Sequence, residues 1–363
     1  MSETFTTRFG RAPTVRVSAP GRINLIGDHL DYNGGSVLPV ATPQQAHVEL
    51  APREDDKVRA FSVETGDEHY RLGHEKRGRG WLDYVQAVTR ALADHGVRHS
   101  GFDLWVHSEV PFVAGLSSSS ALEIAVLRGL RELWRLSLTD LELAIIGHRA
   151  ETSFIGSVGI MDHIASSLAS EHAALLLDTS TLKYRELQLP RRMSILAIDS
   201  GLKHELINTE YEYRRQQCEA AAAALGVKSL CSLGTEALPR VMGLSAPFSR
   251  RARHVITENQ RVHAAVRAIE KNELEELGRL INESHDSLRD DFQVSSPAID
   301  QLVEIARNEP TVLGARITGT GFGGAVLVLT QSDEPMEQAQ HIAQLYARET
   351  QKHPHVIMPI SGR

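Results

Sequence analysis

Ala114-Gly115-Leu116-Ser117-Ser118-Ser119-Ser120-Ala121 is the stretch on which the reading of this 363-residue chain turns. It stands between a predicted strand, Phe102 to Val106, and a predicted helix from about Ser119 to Trp134. A small, hydroxyl-rich turn that opens a helix leaves the first backbone N–H groups without intrahelical acceptors. The helix dipole favours an anion in the same place, and several hydroxyls are available for phosphate oxygens or a hard cation. One helix needs one serine as its N-cap, so four in a row after Gly-Leu exceed that need, although capping is the plain alternative. No Gly-Lys pair occurs anywhere in the chain, which excludes a Walker A loop. Gly-x-Ser-x-Gly is absent here too, so this is no nucleophile elbow.

Two further segments bear on the loop. Near the N-terminus the chain reads Gly21-Arg22-Ile23-Asn24-Leu25-Ile26-Gly27-Asp28-His29-Leu30-Asp31-Tyr32-Asn33-Gly34-Gly35. Near the C-terminus it reads Gly314-Ala315-Arg316-Ile317-Thr318-Gly319-Thr320-Gly321-Phe322-Gly323-Gly324. In this order the three segments resemble the signature motifs of the GHMP kinases, a family of small-molecule kinases. The first is similar to the galactokinase branch, whose pattern is Gly-Arg-x-Asn-Leu-Ile-Gly-Glu-His-x-Asp-Tyr-Asn-Gly-Gly. Trp81 with Tyr84, Gly159-Ile160-Met161-Asp162, Glu210-Tyr211 with Arg214, Arg215 and Cys218, and Asn282 to His285 extend the resemblance from about Val17 to Thr330.

Composition agrees with a soluble enzyme. The length favours about two domains, and 42% hydrophobic with 23% charged residues is ordinary for a globular chain. A net charge of −7 argues against nucleic acid as a partner, since phosphate backbones call for concentrated basic residues. Two cysteines, Cys218 and Cys231, are too few for a disulfide framework and suit a reducing cytoplasm. Residues 1 to 12 are polar with no apolar run behind them, and no stretch is long enough to span a membrane. The seventeen histidines are scattered, and neither His95 with His99 nor His353 with His355 has a companion ligand cluster for zinc.

Hydrophobic periodicity predicts mixed α and β structure. Strands are expected at Val15 to Ser18, His47 to Leu50, Phe102 to Val106, Ala173 to Leu177, Met193 to Ile198 and Ala325 to Leu329. Helices are expected at Leu82 to His95, Ala121 to Trp134, Thr139 to Ser153, Asn208 to Leu225 and Met336 to Glu349, with three more between Arg250 and Arg307. A break at Leu189-Pro190 divides the chain into domains over 1–188 and 189–363. Gly319 to Gly324 formally satisfies Gly-x-Gly-x-x-Gly, the dinucleotide fingerprint, which should follow a strand and open a helix. Here the glycines run directly into a strand, so they join two strands and the dehydrogenase reading fails.

The resemblance implies an α+β, two-domain fold: an N-terminal domain like ribosomal protein S5 domain 2 and a ferredoxin-like C-terminal domain. It implies a sugar 1-kinase that uses ATP and Mg²⁺, with galactose as the expected acceptor. Asp162 would accept the proton of the anomeric hydroxyl, and Arg22 would neutralise charge on the transferring group. As a plain alternative, Asp162 caps a helix over Ile164 to Leu168. Gly115, Leu116 and Ser117 to Ser120 would hold ATP, and Ser118 or Ser119 with Glu151 would hold Mg²⁺. Trp81 is the aromatic candidate for adenine, or a core tryptophan beside Tyr84. Asp28, His29, Asp31, Gly159 and Tyr211 match positions that hold the sugar; an Asx-rich turn would account for Asp28 to Asn33 without ligand.

Departures from the family pattern gather on the sugar side. Asp28 stands where Glu is usual, Leu30 where Thr is common, and His163 where Gln follows the catalytic Asp. The loop before Gly159 is one residue short. A kinase for a related sugar (an amino sugar, a uronic acid or a pentose) is therefore the near alternative. A non-catalytic sensor of sugar or ATP is the remote one.

Overall fold

The computed structural model describes residues 3–111, 115–202 and 207–361, so Ala114 of the serine loop falls outside the described residues. The chain begins with α1 (Phe5–Phe9), β1 (Val15–Asn24), β2 (Ser36–Val37), β3 (Pro39–Pro52), β4 (Lys57–Ser62), β5 (Gly66–Arg71), α2 (Leu82–Asp94) and β6 (Phe102–Ser108). Next come α3 (Ser118–Leu133), α4 (Asp140–Phe154), α5 (Met161–Leu168), β7 (Ala173–Asp178), β8 (Tyr184–Gln188), β9 (Ser194–Asp199) and α6 (Ile207–Ala224). The remainder is α7 (Leu238–Val241), α8 (Phe248–Lys271), α9 (Leu274–Ser287), α10 (Pro297–Arg307), β10 (Val312–Ile317), β11 (Ala325–Thr330), α11 (Pro335–Thr350) and β12 (His355–Ser361). Described residues 3–21, 44–111 and 117–168 pack as one compact unit, and 22–43, 115–116 and 169–361 as another.

The first unit rests on a five-stranded sheet in the order β1-β3-β6-β4-β5. β3 and β6 run antiparallel with Leu50 opposite Leu104, β4 is parallel to β6, and β5 closes the edge antiparallel to β4. Sequence periodicity missed β5 for a physical reason. An edge strand such as Gly66–Arg71 buries only Tyr70 fully, so its composition is that of a polar loop. α3 lies close on this sheet: a Cβ at Gly129 would come within 2.2 Å of Leu50 Cδ1, so a larger residue there would require the Leu50 side chain to move. α4 is started by a capping box, Thr139 with Glu142, as its Thr-x-x-Glu spacing requires. α5 begins at Met161, three residues before the expected start at Ile164, which places Asp162 inside its first turn.

The second unit holds an antiparallel sheet in the order β10-β11-β9-β12 and a small sheet β2-β7-β8. β11 sits between two neighbours, and every residue of its Ala-Val-Leu-Val-Leu-Thr run is buried; a strand covered on both faces needs no polar alternation. α10 starts with a Ser296 cap and Pro297, and α11 with Pro335 in its first turn. Proline is tolerated there because its missing N–H would have no helical partner. The glycine segment joins β10 to β11, which pair antiparallel with Ile317 opposite Val326. Leu189 and Pro190 lie within this unit, between β8 and β9. No helix among the described residues is long and apolar enough to cross a membrane.

Candidate active site

In the first unit the serine loop presents a helix start with unused donors. Ser117 takes a left-handed backbone (φ 59°) at the N-cap of α3, and its side chain makes no cap hydrogen bond. The first helical bond runs from the Ala121 N–H to the Ser117 carbonyl, which leaves the amides of Ser118, Ser119 and Ser120 ahead of the ladder. Ser117 Oγ is buried with no hydrogen-bond partner among the described residues. An unsatisfied buried hydroxyl costs about 1–3 kcal/mol, and a left-handed serine adds strain of about 1–2 kcal/mol. The capping explanation is thus not realised. Orphan amides, an orphan hydroxyl and a positive helix end together are a donor set that suits an anion such as the phosphates of ATP.

Behind that helix start lies a cluster that the sequence did not announce. Glu123 of α3, Glu151 of α4 and His163 of α5 converge, all three buried. His163 Nε2 is 2.6 Å from Glu123 Oε2 and 3.2 Å from Glu151 Oε2. Burial by itself would push the His163 imidazole down, but hydrogen bonds and charge from Glu123 and Glu151 outweigh it and hold the group up at about 10. Burial, with the charge of Glu151, pushes the Glu123 carboxyl up to about 8. Both directions describe the same physics: this pocket of carboxylates retains a proton, carried by His163 as an imidazolium. The expected Mg²⁺ ligand Glu151 is thereby held on one side by a cation while its carboxylate remains a hard oxygen donor. The hydroxyls of Ser118 and Ser119, both half-buried, are hard oxygen donors of the kind Mg²⁺ prefers.

Asp162 precedes His163 and is half-buried. As the second residue of α5 it is not the helix cap. Gly159 is half-buried in the loop before α5, where the Val158 carbonyl accepts from His148 Nε2 at 3.1 Å. Trp81 occupies the N-cap position of α2, half-buried, with no side-chain cap.

The second unit holds the other expected residues. Arg22 is buried; its backbone N–H donates to the Leu116 carbonyl (3.0 Å) and its Nη1 donates to the Gly115 carbonyl (2.6 Å). Gly319 approaches the same carbonyl: a Cβ there would stand 2.9 Å from Gly115 O, and its φ is +84°. The glycine hairpin therefore lies directly against Gly115.

His29, also left-handed (φ 66°), is buried among rings. Its centroid lies 4.6 Å from Phe292 and 5.8 Å from Tyr211, and Tyr211 meets Tyr32 edge-on at 5.3 Å. His29 Nδ1 shares a 3.0 Å hydrogen bond with the Tyr32 hydroxyl. Nε2 makes no hydrogen bond among the described residues. Burial, then the nearby His254 and Arg214, depress its imidazole to about 3, so it is neutral at working pH. A neutral imidazole with one ring nitrogen unused suits a hydroxyl ligand. Asp31 opens the 3₁₀ turn Asp31–Asn33 and is half-buried beside this group.

Asp28, an expected sugar contact, is buried, and each of its oxygens accepts a hydrogen bond within the fold. Oδ1 accepts from Asn24 Nδ2 (2.7 Å), and Oδ2 accepts from Arg316 Nη2 and from the Gly319 N–H (3.2 Å). Arg316 sits in the quoted glycine motif but carried no assigned role. Glu123 carried none either; a single carboxylate inside the apolar run Ala121 to Leu130 was the available signal.

Comparison with known proteins gives matches along the whole chain. Residues 3–52 match the galactokinase galactose-binding signature, residues 83–170 the N-terminal domain of GHMP kinases, and residues 265–347 their C-terminal domain. The structure is similar to that of Lactococcus lactis galactokinase complexed with galactose. That similarity has a TM-score of 0.93 at 32% identity and covers 99% of this chain and 97% of that one. Mevalonate kinase from Methanococcus jannaschii, at 16% identity, shares the fold with a TM-score of 0.71, covering 96% of this chain and 98% of the other.

Proposed function

This chain belongs to the galactokinase family of the GHMP kinases, and we propose that the alcohol it phosphorylates is the anomeric hydroxyl of galactose. It has the two-domain α+β GHMP kinase fold and is a sugar kinase that uses ATP with Mg²⁺. The galactose-binding signature over residues 3–52 is the observation that carries the substrate. The division into domains over 1–188 and 189–363 is supported by the N- and C-terminal family matches, which fall on either side of it. Two free thiols, Cys218 and Cys231, suit a cytoplasmic enzyme.

In this reading the anomeric oxygen attacks the γ-phosphorus of ATP, the bond from that phosphorus to the ADP oxygen breaks, and the hydroxyl proton passes to Asp162. Amides at the start of α3, with Ser117 Oγ, bind the phosphates. Ser118, Ser119 and Glu151 would hold Mg²⁺, which supplies positive charge against the phosphate oxygens when bound. Arg22, fixed by two hydrogen bonds to the serine loop, offsets the charge of the transferring group. Trp81 is the proposed adenine contact. Asp28, His29, Asp31, Gly159 and Tyr211 are the proposed sugar contacts, with His29 Nε2 as the polar atom that needs a partner.

A related sugar is the second reading, favoured by one observation: the Asp28 carboxylate is already bonded within the fold. ADP release with Mg·ATP, measured over galactose, galactosamine, galacturonate, glucose and arabinose, tests both. Turnover that depends on galactose is the expected result. Turnover with another of these sugars alone replaces galactose as substrate, and binding without turnover on any of them returns the sensor.

A further inference from the structure

β4 and β5 carry more cations than the fold itself uses. Their antiparallel register sets Lys57 opposite Arg71 and Arg59 opposite His69, and like charges directly opposite one another destabilise a sheet. Part of this charge has a structural partner. Asp103 of β6, completely buried, accepts from Arg11, from Arg53 Nη1 (3.2 Å) and from Arg59 Nε (2.7 Å). Arg53 is also held by Asp55, and Arg71 by Asp56. Lys57 and the end of Arg59 are left over. The Lys57 ammonium makes no hydrogen bond or ion pair among the described residues, where only its backbone N–H is engaged. Arg59 bonds through Nε alone, so both of its terminal amino groups are unused. Both side chains line a cavity of 510 Å³, within the range of about 300–1,000 Å³ usual for small-molecule sites. Phe9, with its ring centroid 5.2 Å from Arg59 Cζ, and His69 stand on the same wall. The two carboxylates there are already matched, Asp67 by Arg8 and Glu68 by Arg79.

We propose that this cavity is a binding site for a phosphate monoester, held by Lys57 and Arg59. A dianionic phosphoryl group answers both unmatched cations, whereas a single carboxylate would leave one of them over. The planar end of Arg59 presents two N–H groups that match two phosphate oxygens as a fork, and the Lys57 ammonium adds a compact point charge beside them. The His69 imidazole brings a ring nitrogen for a third oxygen. The Phe9 ring offers an apolar surface to the organic part of the ester, and the volume leaves room for it. Shielding Asp103 explains why Arg11, Arg53 and the Nε of Arg59 gather here, but it gives no use to Lys57 or to the Arg59 amino groups. None of the lining residues belongs to the serine loop, the Asx-rich segment or the glycine hairpin.

The test keeps the nucleotide site filled with Mg²⁺ and a non-hydrolysable ATP analogue, and it reads binding without turnover, so it does not depend on the acceptor sugar. Equilibrium dialysis follows labelled glycerol 3-phosphate at constant ionic strength, with inorganic phosphate and glycerol as competitors. One glycerol 3-phosphate per chain is expected, displaced by inorganic phosphate and not by glycerol. Lys57→Ala and Arg59→Gln should each weaken it by about 10-fold or more, the worth of a hydrogen bond to a charged group. Arg71→Gln, on the same strands but with its guanidinium bonded to Asp56, should leave binding nearly unchanged. Absence of binding to the wild type at millimolar ester overturns the proposal. Binding that survives Lys57→Ala and Arg59→Gln overturns it too, because the ester then sits elsewhere. An equal loss in Arg71→Gln does the same by reducing the effect to diffuse surface charge. Asp103 keeps Arg11 and Arg53 when Arg59 is replaced. If Arg59→Gln nevertheless fails to fold, Lys57→Ala, which removes no side-chain bond, decides alone.

Discussion

His163 Nε2 lies 2.6 Å from Glu123 Oε2, and both side chains are completely buried between α3 and α5. Because the imidazole there titrates at about 10 against an ordinary 6.5, folding takes up a proton between those values. Its contribution to stability is complete below about pH 6.5 and lost as pH rises through 10. Glu123, raised from 4.5 to about 8, acts in the same direction. Wild type without Mg²⁺ should therefore lose melting temperature between pH 7 and 10 more steeply than His163→Gln. Parallel curves for the two proteins would remove His163 as the proton holder.

Asp162→Asn should lower kcat by roughly 10²- to 10⁴-fold, the usual worth of a general base, with ATP affinity largely kept. Single-turnover kinetics and ATP titration measure the two separately. A variant with nearly normal kcat would take Asp162 out of the proposed proton transfer.

Ser117→Ala separates the cradle from the cap. Since the Ser117 hydroxyl makes no cap bond, the loss of about 1 kcal/mol typical of a deleted N-cap should not occur. KM for ATP should rise by about 2- to 10-fold, the value of one neutral hydrogen bond. Calorimetry showing a full cap penalty with unchanged KM would reverse this assignment.

Gly319→Ala introduces a Cβ 2.9 Å from the Gly115 carbonyl at a φ of +84°. The left-handed backbone alone costs about 1–2 kcal/mol for an L-residue, and the backbone contact cannot be relieved by a rotamer. A lower melting point with weaker ATP binding is expected, whereas Thr320→Ala nearby tests for a general effect of altering the turn.

His29→Ala should raise KM for galactose with little change in KM for ATP. The His29 imidazole is held near 3 by burial, so in wild type kcat/KM between pH 5 and 8 should carry no inflection from this residue. An inflection near 6.5 that disappears in the variant would show that His29 is charged in the working enzyme.

Local sequence is enough to start elements whose energetics are local. Thr139 and Glu142 bracket one helix turn, Ser296-Pro297 another, and Ala325 to Thr330 could be buried only as a central strand. Their hydrogen bonds and side-chain faces are set by spacing within a few residues. The same holds for the serine loop, where a helix start and its orphan amides follow from eight consecutive positions. The polar edge strand β5 was invisible because the neighbouring strand, not its own composition, makes it a strand.

By itself, then, the chain determines that a serine-rich helix start, a glycine hairpin and an Asx-rich N-terminal segment coexist, and with them the family. Tertiary structure alone decides what the charged residues in those segments are bonded to. Asp28 meets Arg316 across 288 positions, and Glu123 meets His163 across 40. Such pairs have no periodicity to betray them, because burial creates the need for a partner and only the fold determines which group is near enough to meet it.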